Sequence, residues 1–520
     1  MAIGGVSAGA AGGGLATDLD AVPALLAWLG DLADARVRHC AWKSNDHLLA
    51  ALAGETDLDL LIDLDDAARF AAVVSRHGLK EALPPPSAAC PAVQHYLGLD
   101  HETGQLFHLH VHFQLVLGER YVKNHRLPVE RELLDGSRTL HGIPVPLAEL
   151  DLGVLVVRAL LKYRARDVVK DVLRIRAPGI PAETLAEIAW LRDGRDLEVI
   201  RSRLAVLGAV VPVDLVCSFL QVVDRDPRSG RELMLLRGRL RRALRERQRR
   251  SRLRAGATYA RALWRCRLRR LLGHGGERGM TLHRGGTTFA LIGADGSGKS
   301  TIAGEVACWL GWRLEARVHY MGSKAPSPLT NWLYLGFRAL RRSHRATSRR
   351  WGEGSVAARP IAALRDLALA SHHLSVALDR RRHYARAAHD ARAGRIVIFD
   401  RHPLACLSGR LEHQLLDGPQ IAAVLGPPPG SLMGALARFE ARLYRRFGLP
   451  DHLVLLDVDP AAAARRKPDH HLDLIRSKAR AAAELAALAR ATGAHVMCID
   501  ANQTLDRVLL DVKRRVWDVL

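Results

Sequence analysis

Aromatic residues make up only 5% of this 520-residue chain, and cysteine occurs just seven times. The cysteines (Cys40, Cys90, Cys217, Cys266, Cys308, Cys406 and Cys498) are scattered, odd in number and never spaced C-x-x-C. That pattern excludes a disulfide framework and a cysteine zinc site, and it is the pattern expected of a reducing, cytoplasmic compartment. Long apolar runs are missing too. The best of them, Leu204 to Val223, is interrupted by Pro212 and Asp214, so no stretch reads as a membrane span. The start, Met1 to Thr17, is rich in Gly and Ala and lacks a basic region followed by a compact apolar one. It reads as a disordered tail rather than a signal peptide.

Acidic residues are the minority charge, 54 against 77 Lys and Arg, for a formal net charge of +23. The imbalance is local. Sixteen arginines lie between Arg231 and Arg270 against two acids, Glu232 and Glu246. Leu233, Leu236, Leu240 and Leu244 recur there at helical spacing, and Leu263, Trp264, Leu268 and Leu271 repeat the theme, which predicts an amphipathic, arginine-faced helical linker. Three readings stay open for it: a solvated connecting helix, a face for an anionic membrane surface, or a face for nucleic-acid phosphates. A homodimer is likewise open.

What is present most plainly is Phe289-Ala-Leu-Ile-Gly-Ala-Asp-Gly-Ser-Gly-Lys-Ser-Thr301. An apolar strand runs into Gly293–Ser300, which fits G-x-x-x-x-G-K-[ST] at every fixed position, and Ile302 to Leu310 reads as a helix. Strand, glycine loop and helix together specify a phosphate-binding loop. Gly293, Gly296 and Gly298 let successive N–H groups converge on phosphate oxygens, and the helix N-terminus adds partial positive charge. Lys299 is expected at the β- and γ-phosphates of ATP, and the Ser300 hydroxyl at Mg²⁺. Further strands are predicted at 317–322, 395–400, 452–457 and 495–500, with a closing helix over 505–520. Asp400 ends its strand at the carboxyl edge, where open α/β sheets bind ligands, and can hold Mg²⁺ or its water. Arg401 beside it can orient an acceptor phosphate.

The glycine loop with Asp295 inside it, the Asp400-Arg401-His402 turn and the Leu453-to-Asp459 strand resemble the thymidylate kinase family of nucleoside monophosphate kinases. The resemblance covers roughly the last 235 residues and implies a P-loop kinase fold with a parallel sheet, ATP and Mg²⁺ as cofactors and dTMP or another small acceptor. It implies an ATP site of Gly293, Gly296, Ser297, Gly298, Lys299, Ser300 and Thr301. Asp295 would contact the acceptor's sugar, Asp400 and Arg401 the acceptor phosphate and metal, and Arg465, Arg466 and Lys467 would begin a mobile lid. The Arg-Glu-Pro-Gly-Gly segment of bacterial members is absent, with Met321-Gly-Ser-Lys-Ala-Pro326 in that region. The Tyr-Gln segment that frames thymine is absent as well, so the resemblance carries phosphate chemistry but not thymidylate specificity.

The first half predicts an α+β domain. A helix is expected over 23–32, a strand over 37–42 leading into Lys43-Ser44-Asn45, a helix over 46–53, a strand over 57–63 and another over 107–113. Strand, Ser44, helix, then Asp57-Leu-Asp59 on the next strand resembles the nucleotidyltransferase superfamily of the DNA polymerase β type. Carboxylates at i and i+2 point the same way from a strand, so Asp57 and Asp59 can share a pair of Mg²⁺ ions. The family's third carboxylate sits on a later strand, where this chain has His108, His110 and His112. Histidines at i, i+2 can chelate an ion, but no further ligand is evident in the sequence. Leu147 to Val223 reads as a helical extension without chemistry.

The expected organisation is therefore α/β: a tail over 1–20, a nucleotidyltransferase-like domain with helical extension over 21–223, an Arg-rich helical linker over 224–286 and a thymidylate kinase-like P-loop domain over 287–520. The leading functional expectation is an ATP-dependent phosphotransferase. The alternatives are nucleotidyl transfer by Asp57 and Asp59 with the P-loop domain as an ATP switch, or a nucleotide-gated module docked to nucleic acid or membrane.

Overall fold

The computed structural model describes residues 21–86, 88–119, 121–173, 179–271, 279–322, 326–352, 355–356, 358–408, 418–426, 428, 430–468 and 471–520. The expected N-terminal tail lies outside them. The fold is mixed α/β, and the chain divides into two compact units, Met1–Arg278 and Gly279–Leu520.

In the first unit the strands β1 (His39–Ala41), β2 (Leu58–Ile62), β3 (Lys80–Leu83), β4 (Val93–Leu99) and β5 (Leu106–His112) lie in the order β1-β2-β5-β4-β3. Only the β2–β5 pair is parallel; it sets Asp59 opposite His110 and Leu61 opposite His112. Two hairpins follow, β6 (Leu115–Glu119) with β7 (Val122–Leu127) and β8 (Ser137–Leu140) with β9 (Ile143–Pro146). The helices are α1 (Pro23–Asp34), α2 (Leu48–Leu52), α3 (Ala67–Arg76), α4 (Glu130–Asp135), α5 (Ala148–Lys162), α6 (Ala165–Val172), α7 (Ala182–Arg192), α8 (Leu197–Leu204), α9 (Val213–Arg225), α10 (Gly230–Ala243) and α11 (Arg252–Leu271). Pro23 opens α1 at the first-turn position, where a missing N–H costs nothing.

Three expectations change here. The helix expected over 46–53 begins as a single 3-10 turn, Asn45–His47, before α2, because Ser44 enters it in the left-handed conformation at φ 55°. The supposed extension is the middle of the core: every residue of α5 from Ala148 to Leu161 is buried, among α7, α8, α9 and α10. The arginine segment is not a free-standing linker either. Leu233, Leu236, Leu240 and Leu244 are all buried in that same core, and residues 224–271 belong to the first unit. Leucines at helical spacing found their partner inside the protein. In α11 the outcome is the opposite, with Trp264, Leu268 and Leu271 exposed.

The second unit starts with a short strand β10 (Thr281–Leu282), so residues 279–286 belong with the domain that was expected to begin at 287. Its sheet comprises β11 (Thr287–Gly293), β12 (Ala316–Tyr320), β13 (Ile396–Asp400), β14 (His452–Asp457) and β15 (His495–Asp500), all parallel, in the order β12-β13-β11-β14-β15. The helices are α12 (Lys299–Leu310), α13 (Pro328–Trp351), α14 (Ala358–Arg392), α15 (Ala405–Ser408), α16 (Ile421–Leu425), α17 (Leu432–Tyr444), α18 (Pro460–Arg466), α19 (Leu472–Ala491) and α20 (Leu505–Val519). Near-continuous apolar strands such as Ile396–Phe399 and Leu453–Leu456 are buried on both faces, as a parallel sheet between helices requires. No described helix is long and apolar enough to cross a membrane, and all seven cysteines are free.

Candidate functional site

The central strand of the parallel sheet, β11, ends at Gly293 and turns through the glycine loop into α12. Gly296 shows why the loop needs glycine: φ is +88°, and an added Cβ would stand 2.5 Å from the Ala463 carbonyl of α18. Gly298, at φ +89°, caps α12. Ser297 is buried within the loop, while Ser300 and Thr301 are exposed on the first turn of α12. Lys299 lies back over its own loop, its ammonium donating to the carbonyls of Gly293 (2.9 Å) and Ala294 (2.6 Å).

The neighbouring strand β13 carries Asp400 to the same edge, in register with Leu291 of β11 and Tyr320 of β12. Ser300 Oγ donates to Asp400 Oδ2 at 2.6 Å, joining residues one hundred positions apart. The other carboxylate oxygen, Oδ1, is buried and has no hydrogen-bond partner among the described residues. A buried anionic oxygen without a partner is costly unless a cation completes it.

Around this pair the charges alternate. Asp295, inside the loop, accepts from Arg401 at 3.3 Å and from Lys478 of α19. Burial opposes ionisation of Asp295, but Lys478, with Lys299 and Arg401 adding attraction, outweighs it and holds the carboxyl down at about 2. Arg401 itself has φ 68°, an uncommon conformation for a residue with a Cβ, and it is the bend that brings the guanidinium back toward the loop. His402, by contrast, leaves the site. It is buried among Phe399, Tyr384 and Phe447, its Nδ1 accepts from the Leu404 N–H, and burial pushes it down to about 3.

Beside Arg401 opens a cavity of about 810 Å³, walled by the end of β12 and by α13 and α14. Tyr320, Met321, Gly322, Asn331, His372 and His383 line it. Met321 N–H bonds the Asp400 backbone carbonyl at 2.9 Å, and Gly322 lies against the Arg401 side chain, so two residues of the cavity wall touch the Asp400–Arg401 turn. Sequence reasoning missed both this cavity and Lys478. Long alternating stretches of Arg, Ala and Leu in α13, α14 and α19 carry no mark that separates a lining residue from a solvated one. Of the expected lid cations, Arg465 is exposed on α18, close to the Ala463 that packs on the loop, whereas Arg466 donates to the Ala501 carbonyl at 3.1 Å.

The first unit gathers a different set. Asp57 stands just ahead of β2 and Asp59 within it, and Asp59 is 8% exposed. Lys43 Nζ contacts Asp59 Oδ2 at 2.6 Å, while Oδ1 meets His110 Nδ1 at 2.8 Å and His112 Nε2 at 3.3 Å. His108 Nδ1 contacts Asp57 at 2.8 Å, and its Nε2 meets His95 Nδ1 of β4 at 3.1 Å. Burial opposes ionisation of Asp59 too, but Lys43 and the two imidazoles prevail and hold it well below the carboxylate range. The three histidines do face away from Leu109 and Val111, which lie in the hydrophobic core. Ser44 N–H donates to Glu187 at 3.1 Å, and Asn45 to the buried Asp151 at 2.9 Å. Burial, with Glu187 nearby, raises Asp151 to about 7.

A scan against protein-family models finds none that matches this chain, and a search of curated proteins finds no match either.

Proposed function

We propose that the second unit is an ATP- and Mg²⁺-dependent phosphotransferase, similar to the thymidylate kinase group, acting on a small phosphorylated acceptor held in the cavity beside Arg401. The observation that carries this reading is the Ser300–Asp400 contact of 2.6 Å, with the second Asp400 oxygen buried and without a partner among the described residues beside a glycine loop. These residues fit the group they would hold. Ser300 and Asp400 offer hard oxygens to Mg²⁺, and the loop's N–H groups with Lys299 offer a phosphate cradle. When bound, Mg²⁺ and ATP supply the transferable phosphoryl group and neutralise part of its charge.

The protein's own residues do the rest. Lys299, released from the Gly293 and Ala294 carbonyls, exchanges two neutral acceptors for anionic phosphate oxygens, which bind it more strongly. Arg401, against Gly322 of the cavity wall, would fork an acceptor phosphate. Asp295 positions Arg401 and Lys478, and as an ionised carboxylate it can accept from an acceptor hydroxyl. An 810 Å³ cavity has the volume of a nucleotide-sized ligand site, with polar groups from Asn331, His372 and His383 to orient it. No strong base is needed, because phosphoryl transfer is dominated by positioning and charge.

The test is ADP formation by the purified chain with Mg²⁺ and a panel of nucleoside monophosphates, dTMP among them, with Lys299→Ala as control. Stimulation by one acceptor, lost in the variant, is the expected result and names the substrate. Tight ATP binding that no acceptor converts into turnover rejects the kinase reading and favours an ATP switch.

A further inference from the structure

Two Mg²⁺ ions shared by Asp57 and Asp59 would require those carboxylates to face a common space with oxygen donors around it. The structure surrounds them with imidazoles instead. His108 occupies Asp57, and Asp59 Oδ1 is approached from two sides by His110 Nδ1 and His112 Nε2. These three ligand atoms all lie within 4.8 Å of one another. We propose that Asp59, His110 and His112 form a binding site for one divalent transition-metal ion of the zinc class, built on the β2–β5 strand pair and distinct in chemistry from a magnesium site. This inference concerns the first unit and does not rest on the phosphotransferase reading of the second.

The backbone makes the triad. Parallel pairing sets Asp59 opposite His110, and the period of two along β5 places His112 on the same face, one step further. The separations fit. Zinc–ligand bonds of about 2.0–2.1 Å place tetrahedral ligands roughly 3.3 Å apart. The carboxylate oxygen here stands 2.8 and 3.3 Å from the two nitrogens, so an ion needs only small side-chain rotations. The donor set decides the class of ion. Two imidazoles and one carboxylate suit Zn²⁺, Co²⁺ or Fe²⁺ and leave open positions, whereas Mg²⁺ prefers all-oxygen octahedral surroundings.

The second layer fits as well. Lys43 on Asp59 Oδ2 leaves Oδ1 to the metal and fixes the carboxylate's orientation. His95 stacks on His110 with ring centroids 4.6 Å apart, and Trp42 packs edge-on to His112 at 4.9 Å, so neither ring is free to swing away. His110 keeps about 20% of its side-chain surface exposed, which provides a route for entry. The cationic surround of Lys43 favours an anionic oxygen, such as a phosphate or carboxylate, as an additional ligand.

The full chain, stripped of metal by a chelator, is titrated with Zn²⁺ against a chromophoric competitor and separately with Co²⁺ followed by visible absorption. One Zn²⁺ per chain, undisturbed by millimolar Mg²⁺, is expected. Co²⁺ should give intense d–d bands of a low-coordinate N/O site without a near-ultraviolet thiolate band. His110→Asn and His112→Asn should each weaken Zn²⁺ binding by at least about a hundredfold, since outer-shell changes alone cost about 10–100-fold. Lys299→Ala should leave it unchanged. The wild-type stoichiometry and cobalt spectrum do not depend on whether a variant folds. Absence of stoichiometric binding, displacement by Mg²⁺, a thiolate band, or undiminished binding by a folded His110→Asn protein would overturn the proposal.

Discussion

Both units place a buried aspartate on a strand against a hydroxyl- or imidazole-bearing partner, yet the two sites are assembled in opposite ways. In the second unit the glycine loop contributes Asp295, Lys299 and Ser300 within six residues, and Asp400, Arg401 and Lys478 come to it from further along the chain. In the first unit each contributor is far from the next: Asp59 meets His110 only because β2 and β5 pair in parallel at one register, and Lys43 reaches Asp59 from the end of β1, which pairs antiparallel with β2. A local motif carries its geometry with it. A register-built site exists only once the sheet has formed, and a slip of one residue would send every imidazole to the apolar face.

The largest expected effect tests the first half of that contrast. Replacing Lys299 by Ala should lower acceptor-dependent ADP formation by about a thousandfold, the scale seen when a positioned donor to a charged transition state is removed. The zinc stoichiometry of the first unit should not change. Equal loss of both properties would mean that the two sites are not the separate constructions inferred here.

The same contrast runs through the arginine segment. Leu240 of α10 is fully buried, so Leu240→Ala should destabilise the first unit by about 2–5 kcal/mol through lost burial and a residual cavity. Leu271 of α11 is 84% exposed, and Leu271→Ala should stay within about 0.5 kcal/mol. Urea unfolding followed by hydrogen exchange on α5 measures both. Comparable losses from the two would show that α11 is also packed in solution.

Legibility follows the same line. The strands over 452–457 and 495–500 and the helix beginning at 505 stand at their expected residues, since apolar runs bounded by Asp and Gly have one good reading in a parallel sheet. The glycine loop, Asp400 and Arg401 were legible for the same reason. Lys478 was not: it belongs to an unremarkable helix, and only the packing of α19 beside β11 brings it to Asp295. Asp59 as the missing partner of His110 was hidden by register, and α10 looked like a linker because an amphipathic face does not say what it packs against. His402 looked like part of a phosphate turn and is a core side chain, because the φ of +68° at Arg401 sends neighbouring residues to opposite sides.

Acid exposes the electrostatic part of the second site. The Asp295 carboxyl is held at about 2 against an ordinary 3.8. A depressed acid contributes stability above its unfolded value and loses it as pH falls through its folded one. The second unit should therefore weaken between about pH 4 and pH 2. Lys478→Met removes the main partner, so its stability curve should be flatter across that window, and its acceptor-dependent turnover should fall about tenfold. A variant curve parallel to the wild type would remove Lys478 from the role assigned to it.

The smallest effect concerns neighbours on one helix. Arg465 and Arg466 both end α18, which packs through Ala463 on the glycine loop, but Arg466 is already committed to the Ala501 carbonyl. A cation that covers a transferring phosphoryl group must be able to reach it, and exposed Arg465 has that reach while Arg466 would first give up a hydrogen bond. Arg465→Gln should slow turnover by several-fold, roughly the contribution of one solvent-screened cation, with unfolding unchanged. Arg466→Gln should alter turnover less than about twofold while loosening the α18–β15 end slightly, since one neutral-acceptor hydrogen bond is worth about 1 kcal/mol. The reverse order would place the lid on the other side of α18 and make the Ala501 contact a latch that opens during the reaction.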